Sequence, residues 1–350
     1  MKRPFVCGFG HTAVTEVPVR LTTGRISNRL IALRYRGPAA TKTILGFVMQ
    51  KTIDCLIKGF ICTGVLLAFP TGITLAAADD YRLEQLAPEQ RELANWLNEF
   101  TDRMDEKYFA RVRDLNGELE FEDRTFSTEW SEHEVRVTRG DVIEKAGRLY
   151  SMGKKQRAER GGREIVWSRF YALDFHPKTP LVGMIHAAIV LQFFGDGSSY
   201  AGGWLGTMPG TRIDEDLELL DQATEDYFAA NNVDLVIYRK LVCKGTDDTV
   251  ARYRRLPACV GASFYGPPVY PGDTGKSLKF IAGFYDLFVG NYMDIIDKRA
   301  NEPYTEQDIL AQNKMRKHWL TDQMLSDPYS SVQIPFEVHS FWNAAPNVRF

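Results

Sequence analysis

The sequence predicts an α+β fold: a central, mostly antiparallel sheet covered by helices on both faces. Three observations predict it. Residues 165–175, residues 182–194 and the stretch after Gly195-Asp196-Gly197-Ser198-Ser199 read as consecutive strands joined by short turns. Long segments of helical period stand before and after this block. Strands and helices come in runs rather than in regular βαβ alternation, which favours α+β over a doubly wound sheet. The run Val182 to Phe194 is apolar on both faces, so both sides of the sheet need cover.

Leu86-Ala87-Pro88 opens the first helix, because proline suits a first helical turn. Leu93, Trp96, Leu97, Phe100, Met104 and Tyr108 repeat at helical spacing to about Asp114, and Asn116-Gly117 ends the helix. An aromatic stripe of this kind packs into a core. Short strands are expected at 134–138 and 141–144. Residues 154–163 are polar and basic, and read as a loop: either a solvated turn or a cationic flap over a carboxylate-bearing ligand. In the next strand Ile165, Trp167, Arg169 and Tyr171 alternate with Val166, Ser168 and Phe170. After the three central strands come helices at 214–230 and 236–255 and a strand at 259–265. Pro267-Pro268 and Pro271-Gly272 mark a turn-rich break. A helix at 276–299 lays Phe280, Phe284, Leu287, Phe288 and Met293 on the sheet. A helix at 306–323 and a last strand at 332–341 complete the order.

The first 78 residues are set apart as a leader. Lys58 to Ala78 has a basic start, an apolar middle and a small-residue end, followed by Asp79-Asp80. That is the layout of an export signal cleaved after Ala78. Met49 begins a leader of ordinary length, so 49–78 is expected to be the signal peptide and 1–48 a non-native or leader extension. The expected destination is a periplasm. Two other readings stay open. Residues 58–78 approach the ~20 residues of a membrane span and would anchor the chain if uncleaved. Residues 1–48 carry eight Lys and Arg against the single acid Glu16, which suits organellar targeting, to the mitochondrial intermembrane space.

Residues 79–350 then form a single domain. They hold 33 Lys and Arg against 43 Asp and Glu, a balance that excludes a general nucleic-acid footprint. Cys7, Cys55 and Cys62 lie in the leader, leaving Cys243 and Cys259, which an exported chain can pair. Sequence does not give the distance that decides it.

Two histidines stand ten residues apart in Phe170 to Ala188. His176 precedes Pro177 and is pushed into an extended conformation. His186 lies inside an apolar strand, where an imidazole needs a hydrogen-bond partner or a ligand. It is the first candidate for chemistry; the plain alternative is a core histidine bonded to a carbonyl. A metal on this pair would need a third ligand. His133, His318 and His339 exist, but no spacing points to them, and no metal is expected.

The pattern H-P-x-x-P-x-V-x-x-x-H-A, from His176 to Ala187, resembles the substrate strand of the oxygen-dependent coproporphyrinogen III oxidase family. Arg139-Gly140-Asp141-Val142-Ile143-Glu144-Lys145-Ala146-Gly147 with Ser151 precedes it. Gly202-Gly203 through Pro209, Tyr238 to Cys243 and Gly261 to Tyr265 follow, in the family's order. The resemblance covers roughly residues 125–300. It implies oxidative decarboxylation of two propionates to vinyl groups by molecular oxygen in haem biosynthesis, without metal or organic cofactor, in a homodimer. It makes His186 the catalytic proton donor. For a propionate-bearing tetrapyrrole, the substrate-binding candidates are His176, Arg169, Lys178, Arg212 and Trp204, the last as a stacking surface. Arginine suits a carboxylate because its fork makes two parallel hydrogen bonds.

The chain also departs from the family. Where the family has A-N-x-R after the second histidine, this sequence reads Ala187-Ala188-Ile189-Val190, and the Asp of the Gly-rich turn falls on Gly206. Asp174 and Asp196 are the nearest acids. These departures motivate an alternative, an exported and catalytically silent relative that binds a tetrapyrrole or a similar flat acidic ligand. A third reading is a dimeric scaffold with no small ligand.

Overall fold

A computed structural model describes residues 81–154, 163–243, 257–323 and 334–349. The chain divides into two units, Met1–Ile73 and Thr74–Phe350, and every described residue belongs to the second. The expectations for residues 1–78, for most of the 154–163 loop and for the far part of the 236–255 helix lie outside the described residues. Among those described, no helix is long and apolar enough to cross a membrane.

Seven strands form one antiparallel sheet in chain order: β1 (Phe121–Ser127), β2 (Ser131–Thr138), β3 (Ile143–Gly153), β4 (Ile165–Pro177), β5 (Met184–Phe194), β6 (Ser199–Met208) and β7 (Ala262–Ser263). Helix α1 (Pro88–Asn116) precedes the sheet. Helices α2 (Asp214–Ala230) and α3 (Val236–Val242) lie between β6 and β7. Helices α4 (Thr274–Arg299), α5 (Glu306–Thr321) and α6 (Phe336–Trp342) follow. The fold is α+β, as predicted.

Strand alternation sorts the side chains onto two faces. Trp167, Tyr171, Leu173 and Phe175 of β4 join Ile185, Ala187, Ile189 and Leu191 of β5 in the main core with α1 and α4. Leu97, Phe100, Met104 and Tyr108 carry α1 onto it, and Phe280, Phe284 and Phe288 carry α4. Burying each such side chain is worth about 1.5–3 kcal/mol. The even-numbered residues turn the other way: Ala172 and Ala188 pack with Val338 and Trp342 of α6, and Met184 with Met315 and Trp319 of α5. Both faces are therefore covered, the second by shorter helices.

Asn116 ties α1 to the sheet. Its Nδ2 donates to the Ile143 carbonyl at 3.0 Å, and its Oδ1 accepts from the backbone N–H groups of Val142 and Ile143 at 3.0 and 2.8 Å. Gly117 follows at φ 83°, a left-handed turn that glycine adopts without strain.

Four expectations about elements are corrected. The strand expected at 332–341 is helix α6 in its described part. This segment lies over a sheet face rather than at an edge, where it must satisfy its own backbone, and Pro335 starts the turn. Strand β1 was not expected, because its side chains are exposed along nearly its whole length and no alternation marks it. Strand β3 runs on to Gly153, where Gly147 and Gly153 weaken the strand signal. The strand expected at 259–265 shrinks to Ala262–Ser263, paired with Leu205 and Trp204.

Cys243, at the end of α3, and Cys259, 16 positions further along the chain, form a disulfide with Cα atoms 5.1 Å apart. Closing a loop of that length stabilises the fold by about 3 kcal/mol in the chain-entropy view. Replacing both cysteines with serine should lower the stability read by urea unfolding by that amount. Alkylation of the unreduced, unfolded protein should label neither residue; labelling of both would show that the bond is not made.

Candidate functional site

The second sheet face carries a row of four residues across adjacent strands. Strand register sets Gly147 opposite Asp174, Asp174 opposite His186, and His186 opposite Gly206. Asp174 and His186 therefore point to the same side, and Asp174 Oδ1 lies 2.6 Å from His186 Nδ1. A carboxylate accepts, so Nδ1 carries a proton, and Nε2 is the acceptor nitrogen in the neutral form of the ring. Nε2 has no hydrogen-bond partner among the described residues. Asp174 is fully buried, while the His186 side chain keeps 15% of its surface accessible.

The glycines at both ends of the row leave room that indoles fill. A Cβ on Gly147 would lie 2.5 Å from the Trp342 carbonyl oxygen, and one on Gly206 would lie 2.6 Å from the Trp204 ring. The rings of Trp204, Trp319 and Trp342 stand 5.4, 5.6 and 6.0 Å from the imidazole, centroid to centroid. The dyad thus sits in an aromatic box closed by β6, α5 and α6. An imidazole whose Nδ1–H is held by a buried carboxylate has a fixed tautomer and orientation, and its Nε2 is set to take or return a proton.

Further polar groups share this face. Lys145 lies opposite His176, and its Nζ donates to the Ala344 carbonyl at 2.7 Å. Burial pulls its ammonium down from 10.5 to about 7, with Arg139 adding to the shift and Asp174 opposing it. His176 is sealed and donates from Nε2 to the Asn343 carbonyl at 3.1 Å. Burial first, then Lys145 and Arg316, hold it well below the ordinary histidine value. His133 is clamped between Ser131 Oγ and Ser151 Oγ, each 2.7 Å from a ring nitrogen, and burial lowers it to about 4.

The residues singled out from sequence divide. His186 and Trp204 come together in the box, and His176 lies sealed on the same face. Three proposed carboxylate contacts do not join them. Arg169 points to the opposite face, where its Nε donates to Tyr150 Oη at 2.9 Å and its guanidinium lies near Trp167. Lys178 pairs with Asp141 at 2.7 Å. Arg212 is exposed just before α2. Arg139 lies 3.9 Å from Glu122. Of the two acids considered, Asp174 is the partner of His186, and Asp196 pairs with Arg163 at 2.9 Å in the β5–β6 turn. Sequence reasoning missed Trp319, Trp342 and Lys145. Gly147, a small residue in a strand, is the signal that could have found Trp342, since it marks the close approach of another residue; no local signal marked Trp319 or Lys145.

Among the described residues, no group of three His, Cys, Asp or Glu is placed to hold a metal ion. A hollow of about 350 Å³ opens elsewhere, at the starts of α1 and α4, lined by Trp96, Phe193, Ser199 and Lys279 with Glu89 and Glu92; no dyad residue borders it. Compared with protein-family models and with curated proteins, the sequence gives no match.

Proposed function

We propose that the protein is an acid–base catalyst working through Nε2 of His186, and that its substrate is a flat ring offered to the indole-lined box. The observation that carries this reading is the 2.6 Å pair of Asp174 and His186 with Nε2 left unpartnered among three tryptophans. The colinear motifs make a propionate-bearing tetrapyrrole, coproporphyrinogen III, the first substrate to test. In that reaction each propionate loses its carboxyl group as carbon dioxide and a hydrogen from the side-chain carbon attached to the ring, leaving a vinyl group. Oxygen takes up the two electrons and two protons and leaves as hydrogen peroxide. The part assigned to this chain is proton transfer at Nε2.

A second reading, a silent relative that binds the ring without turning it over, is favoured by the dispersal of Arg169, Lys178 and Arg212 away from the dyad. The experiment is to supply coproporphyrinogen III in air to the full-length protein and follow carbon dioxide release and porphyrin fluorescence. Turnover that falls 100-fold or more in His186→Asn and in Asp174→Asn is the expected result, within the range for a positioned acid–base group. Tight porphyrin binding without turnover favours the second reading. Absence of both overturns the two together.

A further inference from the structure

We infer that Lys145 is a positioning residue whose own protonation governs how firmly the Trp342–Ala344 turn closes over His186. The inference rests on the reading above only in taking His186 as the working group.

The turn is held by three side chains from three elements. Lys145 Nζ of β3 donates to the Ala344 carbonyl at 2.7 Å. His176 Nε2 of β4 and Trp319 Nε1 of α5 donate to the Asn343 carbonyl at 3.1 and 2.9 Å. Both carbonyls belong to the end of α6, and the Asn343 and Ala344 N–H groups both bond to the His339 carbonyl at 3.0 Å. Trp342, directly before them, forms one wall of the His186 box. Movement of this turn therefore moves a wall of the site.

Lys145 is the unusual member of the three. It is only 2% exposed, and among the described residues no carboxylate bonds to it. A buried ammonium without a counter-ion gains strongly from reaching water, whereas a neutral amine gains little. The charged groups that act on it or on its neighbour His176 are Asp174 of β4, Glu122 of β1, Arg139 before β3 and Arg316 of α5. His176 itself is held below its ordinary value and discharges at lower pH.

The direction follows from linkage. With the turn closed the amine titrates near 7; with the turn lifted it returns toward its ordinary 10.5. Opening therefore takes up a proton throughout this window. The turn is firmest at the alkaline end, loosens as pH falls toward about 7, and changes no further below that through this group.

The test is amide hydrogen exchange on the full-length protein, read by mass spectrometry over Asn343 and Ala344 from pH 7.5 to 9.5 and divided by the exchange rate of the free peptide. In the wild type, protection should rise by up to about tenfold per pH unit, the limit for one linked proton. In Lys145→Met it should be flat. Lys145→Arg stays charged across the range, so it should be flat as well, and it carries the test if the methionine variant does not fold. A flat wild type, or a slope retained in the variants, overturns the inference. Carbethoxylation of His186 in the same samples ties the turn to the site: its rate should fall as protection rises, and a rate that does not follow protection overturns that link. Neither readout needs a substrate, so failure here is separate from failure of the proposed activity.

Discussion

Acidification from pH 6.5 to 4 is expected to remove about 3 kcal/mol of stability through His133 alone, taking about 1.4 kcal/mol per pH unit. The imidazole is 1% exposed and both ring nitrogens are bonded to serine hydroxyls. Burial moves it from 6.5 in the unfolded chain to about 4 in the fold. Between those values the unfolded chain binds the extra proton. The contribution is therefore complete above 6.5 and is lost progressively as pH falls to 4. His176 adds in the same direction, because it too is held below its ordinary value. Asp105, which burial holds above 3.8, works the other way at the acid end of the window. Urea midpoints for the wild type and His133→Gln between pH 7 and 4.5 isolate the effect as the change in their difference. Parallel curves would show that His133 titrates alike in both states.

Replacing Gly147 with valine should lower stability by about 3 kcal/mol, the scale of overpacking in a closed core. The added Cβ would lie 2.5 Å from the Trp342 carbonyl oxygen and 2.8 Å from its Cδ1. The carbonyl is backbone at the end of α6, and the residues just after it are held by Lys145, His176 and Trp319, so it has no cheap way to give. The helix must lift, taking Val338 and Trp342 off the sheet. For a domain of this size the melting temperature should fall by about 6–12 °C, with a red shift of tryptophan emission. Gly275→Ala is the matched control. Its new methyl would meet nothing nearer than 3.6 Å, and a helical alanine is at worst neutral there. Equal behaviour of the two variants would mean that the α6 contact is not tight.

Much of the architecture was legible. Helix α2 falls at 214–230, as its period predicted, and α1 and α4 differ from expectation by about two residues at an end. These elements carry strong apolar stripes, and period is a local signal. Strand β1 and helix α6 were not legible, for opposite reasons. β1 is an exposed edge whose place depends on backbone pairing with β2 rather than on its own side chains. α6 is a short apolar segment, and such segments do not declare helix or strand until their setting is known. At the site, His186 stood out as a polar group in an apolar run. Its partner Asp174 was named only for its nearness in sequence.

Taken alone, the order of residues determined the class of fold, the faces of the long helices and the strand that bears His186. Each of these depends on spacing between residues close in the chain, which a linear pattern carries. Only the tertiary structure decided that Asp174 would meet that imidazole, that Trp204, Trp319 and Trp342 would wall it in, and that Lys145 would end buried against the Ala344 carbonyl. Those meetings join residues up to 199 positions apart through strand register and helix docking. Register is a property of the assembled sheet, and no single segment encodes it.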